Sequence, residues 1–157
     1  MQLHEAGLPS EGRPGRSSPP ARPHITLMAC ADIETERLDP ITEIVRDALP
    51  MPLVLGSPLI FGRSTERRPG LILVRQVLPS IGLLELQQQV AGRCPPAVDR
   101  HFDAGSWAPH VTLGRRYAAE QIGPAVTVLG QRRHDLAAQA TGCRYWRGDL
   151  RQATQLV

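Results

Sequence analysis

Five residues of this 157-residue chain occur twice with one aliphatic exchanged: Pro23, His24, Ile25, Thr26 and Leu27 return as Pro109, His110, Val111, Thr112 and Leu113. Each copy sets an imidazole, which gives and takes protons near neutral pH, two positions from a hydroxyl that both donates and accepts hydrogen bonds. That is the equipment of general acid–base catalysis with a hydrogen-bonding partner beside it. With five His and eight Thr in the chain, about 0.25 His-x-Thr triplets arise by accident, so one copy is a weak motif and two in matching pentapeptides are a specific one.

The element that must carry each copy is a strand. A β-branched residue between His and Thr, followed by Leu, favours extended backbone, in which alternate side chains share a face. His24 and Thr26 then point one way, about 7 Å apart along the backbone, while Ile25 and Leu27 enter a core. His110 and Thr112 stand in the same relation to Val111 and Leu113. After the first copy, Leu38, Ile41, Ile44, Val45 and Ala48 fall at helical spacing, which predicts a helix from Thr35 to Leu49, stopped by Pro50. Residues 53–61 and 71–77 read as two strands of a hairpin across the polar stretch from Gly62 to Gly70. Ser80 is a natural N-cap for a helix running to about Arg93, before Pro95 and Pro96. The second copy sits in a strand from Ala108 to Arg116, followed by a helix from Ala118 to Leu129. Residues 136–146 and 150–156 flank Arg147, Gly148 and Asp149 as a closing β-hairpin. Met1 to Ala6 reads as a helical end closed by Gly7, and residues 10–23 as a loop rich in Ser, Pro, Gly and Arg.

Strand, helix and further strands thus follow each motif in the same order, a weak internal duplication. The fold class this predicts is α+β: a bilobal, pseudo-two-fold arrangement of antiparallel sheets with helices on the outer faces and a central cleft between the His strands. Residues 1–21 form an N-terminal loop with a remnant of a truncated helix, and residues 22–157 a single bilobal domain, the size expected of one core.

Composition narrows the chemistry. The chain has no Lys, so all 18 basic residues are Arg, which excludes lysine nucleophiles, Schiff bases and any Walker-type phosphate loop. A net charge of +3 is compatible with a phosphate-bearing ligand without indicating one. Cys30, Cys94 and Cys143 are widely spaced and form no Cys-x-x-Cys pair, which argues against a disulfide framework or a zinc cluster and for a reducing, cytoplasmic setting. No apolar run reaches membrane-spanning length. The Arg-, Ala-, Gly- and Pro-rich, Lys-free composition suggests a GC-rich bacterial genome.

The paired motifs, with the Trp107, Ala108, Pro109 lead-in and the Arg that follows the second, resemble the two-histidine phosphoesterase superfamily, and within it the 2′-5′ RNA ligase-like branch. The resemblance covers the chain from about residue 22 to its end. It implies metal-independent chemistry on nucleic-acid phosphates, typically opening a 2′,3′-cyclic phosphate of an RNA end or nucleotide to a 2′-phosphate, with 2′-5′ ligation as the reverse. No cofactor, metal or membrane is implied. One imidazole would activate water and the other protonate the departing sugar oxygen, while Thr26 and Thr112 donate to the non-bridging oxygens. The resemblance favours His110 as base and His24 as acid.

Arg115 and Arg116 are the candidate phosphate contacts, since guanidinium suits phosphate geometry. Strict alternation puts Arg116 on the face of His110, a bulge at Gly114 would put Arg115 there, and the family pattern points to Arg115. His4, His101 and His134 lack partners at matching spacing and read as surface or capping residues. Trp107, Tyr117, Tyr145 and Trp146 could stack on a base, but six aromatics in the whole chain suit core and interface packing better. Arg63, Arg67 and Arg68 read as a solvated hairpin tip, with nucleic-acid contact the lesser reading. Relatives place a strand and a helix before the first motif, so the short segment preceding His24 predicts an incomplete first lobe and a tendency to self-associate. The alternative to an enzyme is a nucleotide- or RNA-binding module that uses the same cleft without turnover.

Overall fold

The computed structural model describes residues 2–4, 23–62, 70–103, 105–130 and 135–157. The loop expected over residues 10–23, apart from Pro23, lies outside these, as do the hairpin tip with Arg63, Arg67 and Arg68, and His134.

The fold is α+β. A curled five-stranded antiparallel sheet has the order β1-β5-β2-β3-β4, with β1 Gln2–His4, β2 Met51–Phe61, β3 Leu71–Val77, β4 His110–Tyr117 and β5 Leu136–Gly142. A separate two-stranded sheet is formed by β6 Arg144–Arg147 and β7 Gln152–Gln155. Three helices, α1 Thr35–Ala48, α2 Ile81–Ala91 and α3 Ala119–Gly130, match the expected ones to within two residues at each end. Ser80 caps α2 as its sequence suggests, its side chain accepting from the Leu83 amide at 3.2 Å.

The core lies between the sheet and the helices. Ile41 and Val45 of α1 and Leu83, Leu86 and Val90 of α2 pack with Met51, Leu53 and Leu55 of β2, Val77, Val111 and Ala140. Ile25 and Leu27 of the first motif belong to the same cluster. Fully burying aliphatic side chains of this size contributes roughly 1.5–3 kcal/mol each. Alternation along β2 explains the pattern up to Leu55, where the register with β3 shifts between Leu55 and Pro58. Proline offers no ladder amide, and such residues sit at bulges. The Arg75 guanidinium, buried in the middle of the sheet, donates through Nε to the Gly56 carbonyl at this irregularity (2.8 Å).

Three expectations are corrected. Residues 2–4 are a strand, not the end of a helix: Gln2, Leu3 and His4 pair with Gly142, Ala140 and Gln139 of β5, whose outer edge offers backbone partners that so short a helix could not supply from within. The stretch 136–146 is not one strand but two. At Cys143 the backbone leaves the large sheet and pairs with the chain's last residues, the Cys143 amide donating to the Val157 carbonyl (3.0 Å) and the Leu156 amide to the Cys143 carbonyl (2.9 Å). Gly142 permits this approach, since a Cβ there would lie 2.8 Å from the Val157 carbonyl oxygen. The turn between β6 and β7 spans residues 148–151, starting one residue after the expected 147–149 and taking in Leu150 and Arg151. Finally, the first His-x-Thr copy is not a strand of several residues. It is extended chain with an isolated antiparallel bridge, Ile25 to Val111.

Candidate functional site

That bridge fixes the relation of the two motifs. In an antiparallel pair, residues opposite one another share a face. With Ile25 opposite Val111, continuing that register by one residue each way would set His24 opposite Thr112 and Thr26 opposite His110. Ile25 and Val111 are each only 1% exposed, so the other face carries the four polar side chains. There His24, His110 and Thr112 are half-buried and Thr26 is exposed. On that register the two histidines would stand on the diagonal of the pair, a relation in which side chains lie about 7–8 Å apart. A phosphoryl group placed between them would meet one imidazole on each side.

Side chains from elsewhere hold the motifs in place. His110 Nδ1 lies 2.8 Å from the Ala108 carbonyl oxygen. A carbonyl can only accept, so Nδ1 carries the proton and Nε2 of the neutral ring is left with a lone pair. The His110 ring also meets the Phe61 ring edge to face, centroids 4.8 Å apart. On the first copy, the indole of Trp107 donates to the Thr26 carbonyl (3.1 Å), tying the lead-in of the second motif to the first. Gln87 of α2, 2% exposed, donates its amide to the Phe102 carbonyl (2.9 Å) and the Leu27 carbonyl (3.4 Å).

The two arginines after the second motif diverge. Thr112 pairs with Val74, Gly114 with Leu73 and Tyr117 with Leu71, so β4 carries an extra residue on each side of Gly114. A Cβ on Gly114 would come within 2.6 Å of the Tyr117 ring, so only glycine lets that ring fold back over the strand. The extra residues reset the alternation. Arg115 lines a cavity of about 1330 Å³ together with His24 and Thr26, whereas Arg116, in the left-handed region at φ 65°, does not. His110 and Thr112, on the neighbouring strand, do not line this cavity either. The cavity thus brings together His24, Thr26 and Arg115, and the bridge joins the first motif to the second.

The far part of the cavity was not foreseen. Arg144, Tyr145, Trp146, Arg147 and Arg151 of the β6–β7 hairpin line it with Asp32. Tyr145 donates a short hydrogen bond to one Asp32 carboxylate oxygen, Arg147 pairs with the other at 3.0 Å, and the Ile33 amide donates to the Tyr145 hydroxyl at 3.0 Å. Burial, with the Asp32 carboxylate beside it, raises the Tyr145 phenol above its ordinary value. The alternation of basic and aromatic residues in Arg144 to Arg147 is legible in the sequence, but its place beside the first motif is not. Cys30 and Cys94, side by side in the same wall, are both pushed up by burial, Cys94 to about 12.

Of the remaining candidates, His101 sits in a short 3-10 turn, Arg100–Phe102, and pairs with Asp99, which caps it. His4 lies in the edge strand β1. Among the described residues no three His, Cys, Asp or Glu side chains converge as metal ligands, and no helix is long and apolar enough to cross a membrane. A family model described as the 2′-5′ RNA ligase superfamily matches residues 9–149, which include both motifs and Arg115. No curated protein matches the chain.

Proposed function

Because the chain belongs to the 2′-5′ RNA ligase superfamily, the two-histidine phosphoesterases, we propose that it opens 2′,3′-cyclic phosphates on RNA ends or nucleotides to 2′-phosphates, with 2′-5′ ligation as the reverse reaction. The observation that carries this reading is the Ile25–Val111 bridge, which joins the two motifs at their central residues and, continued by one residue each way, would put His24 and His110 on one face.

The Nδ1 contact to Ala108 supports His110 as the base. Its Nε2 removes a proton from water as the oxygen attacks phosphorus. The P–O3′ bond breaks on the opposite side and His24, as imidazolium, gives its proton to the departing O3′. One proton is taken, one is delivered, and the pair returns to its starting state by exchange with solvent. Thr26 and Thr112 donate to the non-bridging oxygens, and Arg115 offsets the charge that builds on them. Two imidazoles supply both proton transfers, so the reaction needs no metal or cofactor, and a cytoplasmic setting with Cys30, Cys94 and Cys143 as thiols is part of the same proposal.

The test is turnover of a 2′,3′-cyclic nucleotide by purified protein in EDTA, with the product identified by phosphorus NMR. A 2′-phosphate formed at an undiminished rate supports the reading, with a rate that falls to either side of neutral pH. Activity lost in EDTA and restored by a divalent ion would overturn the metal-independent mechanism. Binding without turnover would mark a nucleotide- or RNA-binding module instead.

A further inference from the structure

The β6–β7 hairpin has no part in the proton transfers just described, yet it forms a wall of the cavity that reaches His24, Thr26 and Arg115. Much of its lining is apolar, including Leu38, Ile41, Val45 and Val90, and its charged and aromatic groups include those of the hairpin. Four guanidinium groups, Arg115, Arg144, Arg147 and Arg151, face the cavity with two carboxylates, Asp32 and Asp149. Both carboxylates pair with Arg147, at 3.0 and 3.6 Å. Among the described residues no carboxylate pairs with Arg115, Arg144 or Arg151, so positive charge is left over. Beside them the Trp146 indole lines the cavity while 54% of the residue remains exposed. A large aromatic face left in water next to unpaired Arg is the combination that single-stranded nucleic acid uses, bases stacking on the ring and phosphates following the charge.

Size points the same way. Small-molecule sites enclose about 300–1,000 Å³, and this cavity, at about 1330 Å³, exceeds that range. We infer that the β6–β7 hairpin is a docking strip for the single-stranded RNA that leads up to the reacting end, with Trp146 as a base-stacking platform and Arg144 and Arg151 as phosphate contacts. The substrate class this selects, resting on the proposed function, is an oligoribonucleotide end over a free cyclic mononucleotide. The Asp32, Tyr145 and Arg147 contacts hold the strip against the segment that follows the first motif, so the docked strand runs toward His24.

The experiment compares binding of a labelled eight-residue oligoribonucleotide ending in a 2′-phosphate with that of a nucleoside 2′-monophosphate, by fluorescence anisotropy and competition, for the intact chain, Trp146→Ala, Trp146→Phe and Arg151→Ala. The intact chain should prefer the octamer. Trp146→Ala should cut that preference by about 5- to 100-fold, the range of one base–aromatic stack, and Trp146→Phe should restore most of it. Arg151→Ala should reduce the slope of log affinity against log salt by about 0.7, one single-strand phosphate contact. An octamer bound no more tightly than the mononucleotide, or equal losses on both ligands in Trp146→Ala, would overturn the inference. These readouts do not depend on turnover. Trp146-dependent octamer binding without hydrolysis would leave the docking strip standing and remove the proposed reaction, whereas hydrolysis without octamer preference would remove the strip alone.

Discussion

His110 stands in β4, an eight-residue strand whose register with β3 runs from His110 opposite Gln76 to Tyr117 opposite Leu71, while His24, in a nearly identical pentapeptide, stands in extended chain bridged to β4 at Ile25. The β3 ladder carries the first of these, with the Ala108 carbonyl and the Phe61 ring against its imidazole. The second is met by side chains that come from far along the sequence, Trp107 at the Thr26 carbonyl and Gln87 at the Leu27 carbonyl. Their aliphatic anchors are equally buried, with Ile25 and Val111 both 1% exposed. The difference therefore lies in the backbone's partners and not in the core. Two copies of one motif can be chemically equivalent in sequence and mechanically unequal in the fold, because pairing is a property of neighbours.

The strongest challenge to that comparison is to remove each imidazole in turn. His24→Ala and His110→Ala should each lower turnover of a cyclic nucleotide by about 10²–10⁴-fold with binding largely kept. The double variant should be little worse than either single one, since acid and base act in one displacement. Steady-state kinetics would show otherwise if the losses multiplied, and the two motifs would then be working separately.

Next in size is Gln87. Gln87→Leu leaves the Phe102 and Leu27 carbonyls without their buried donor, and an unsatisfied buried group costs about 1–3 kcal/mol. Urea unfolding should register that loss, and hydrogen exchange should speed up around residues 24–30 more than around residues 110–117. Equal change in both stretches would mean that the two motifs are supported alike. Trp107→Phe should act in the same direction with a smaller effect, about 0.5–1.5 kcal/mol for one hydrogen bond, again confined to the first motif.

The smallest effect concerns the wall behind the first motif. Burial raises Cys30 and Cys94, Cys94 to about 12, so less of either thiol is thiolate at a given pH than in a free cysteine. Alkylation at pH 8 should therefore be slower than for a model thiol and should keep accelerating as pH rises past the ordinary thiol range. Rapid labelling of Cys94 at pH 8 would show that this wall opens readily, and the first motif with it.

The α+β class, the three helices, the Ser80 cap and the turn between β6 and β7 were legible because each rests on local signals: apolar spacing, a capping hydroxyl, Pro stops and a Gly-Asp turn. The side-by-side setting of imidazole and hydroxyl in each motif could be read for the same reason, since residues two apart on extended backbone share a face. Which of Arg115 and Arg116 lines the cavity was undecided in sequence, since it depended on how many residues of β4 oppose each residue of β3, a count set by pairing. The strand at residues 2–4, the break at Cys143 and the isolated bridge at Ile25 were illegible because each depends on which backbone edge lies within reach. The hairpin wall of Arg and Trp could be read as a hairpin from its residues alone. Its meeting with His24 through Asp32 joins positions more than 110 residues apart, with separations of 113 and 115, and only the packed chain brings such positions together, because a side-chain contact is decided by distance in space and not along the sequence.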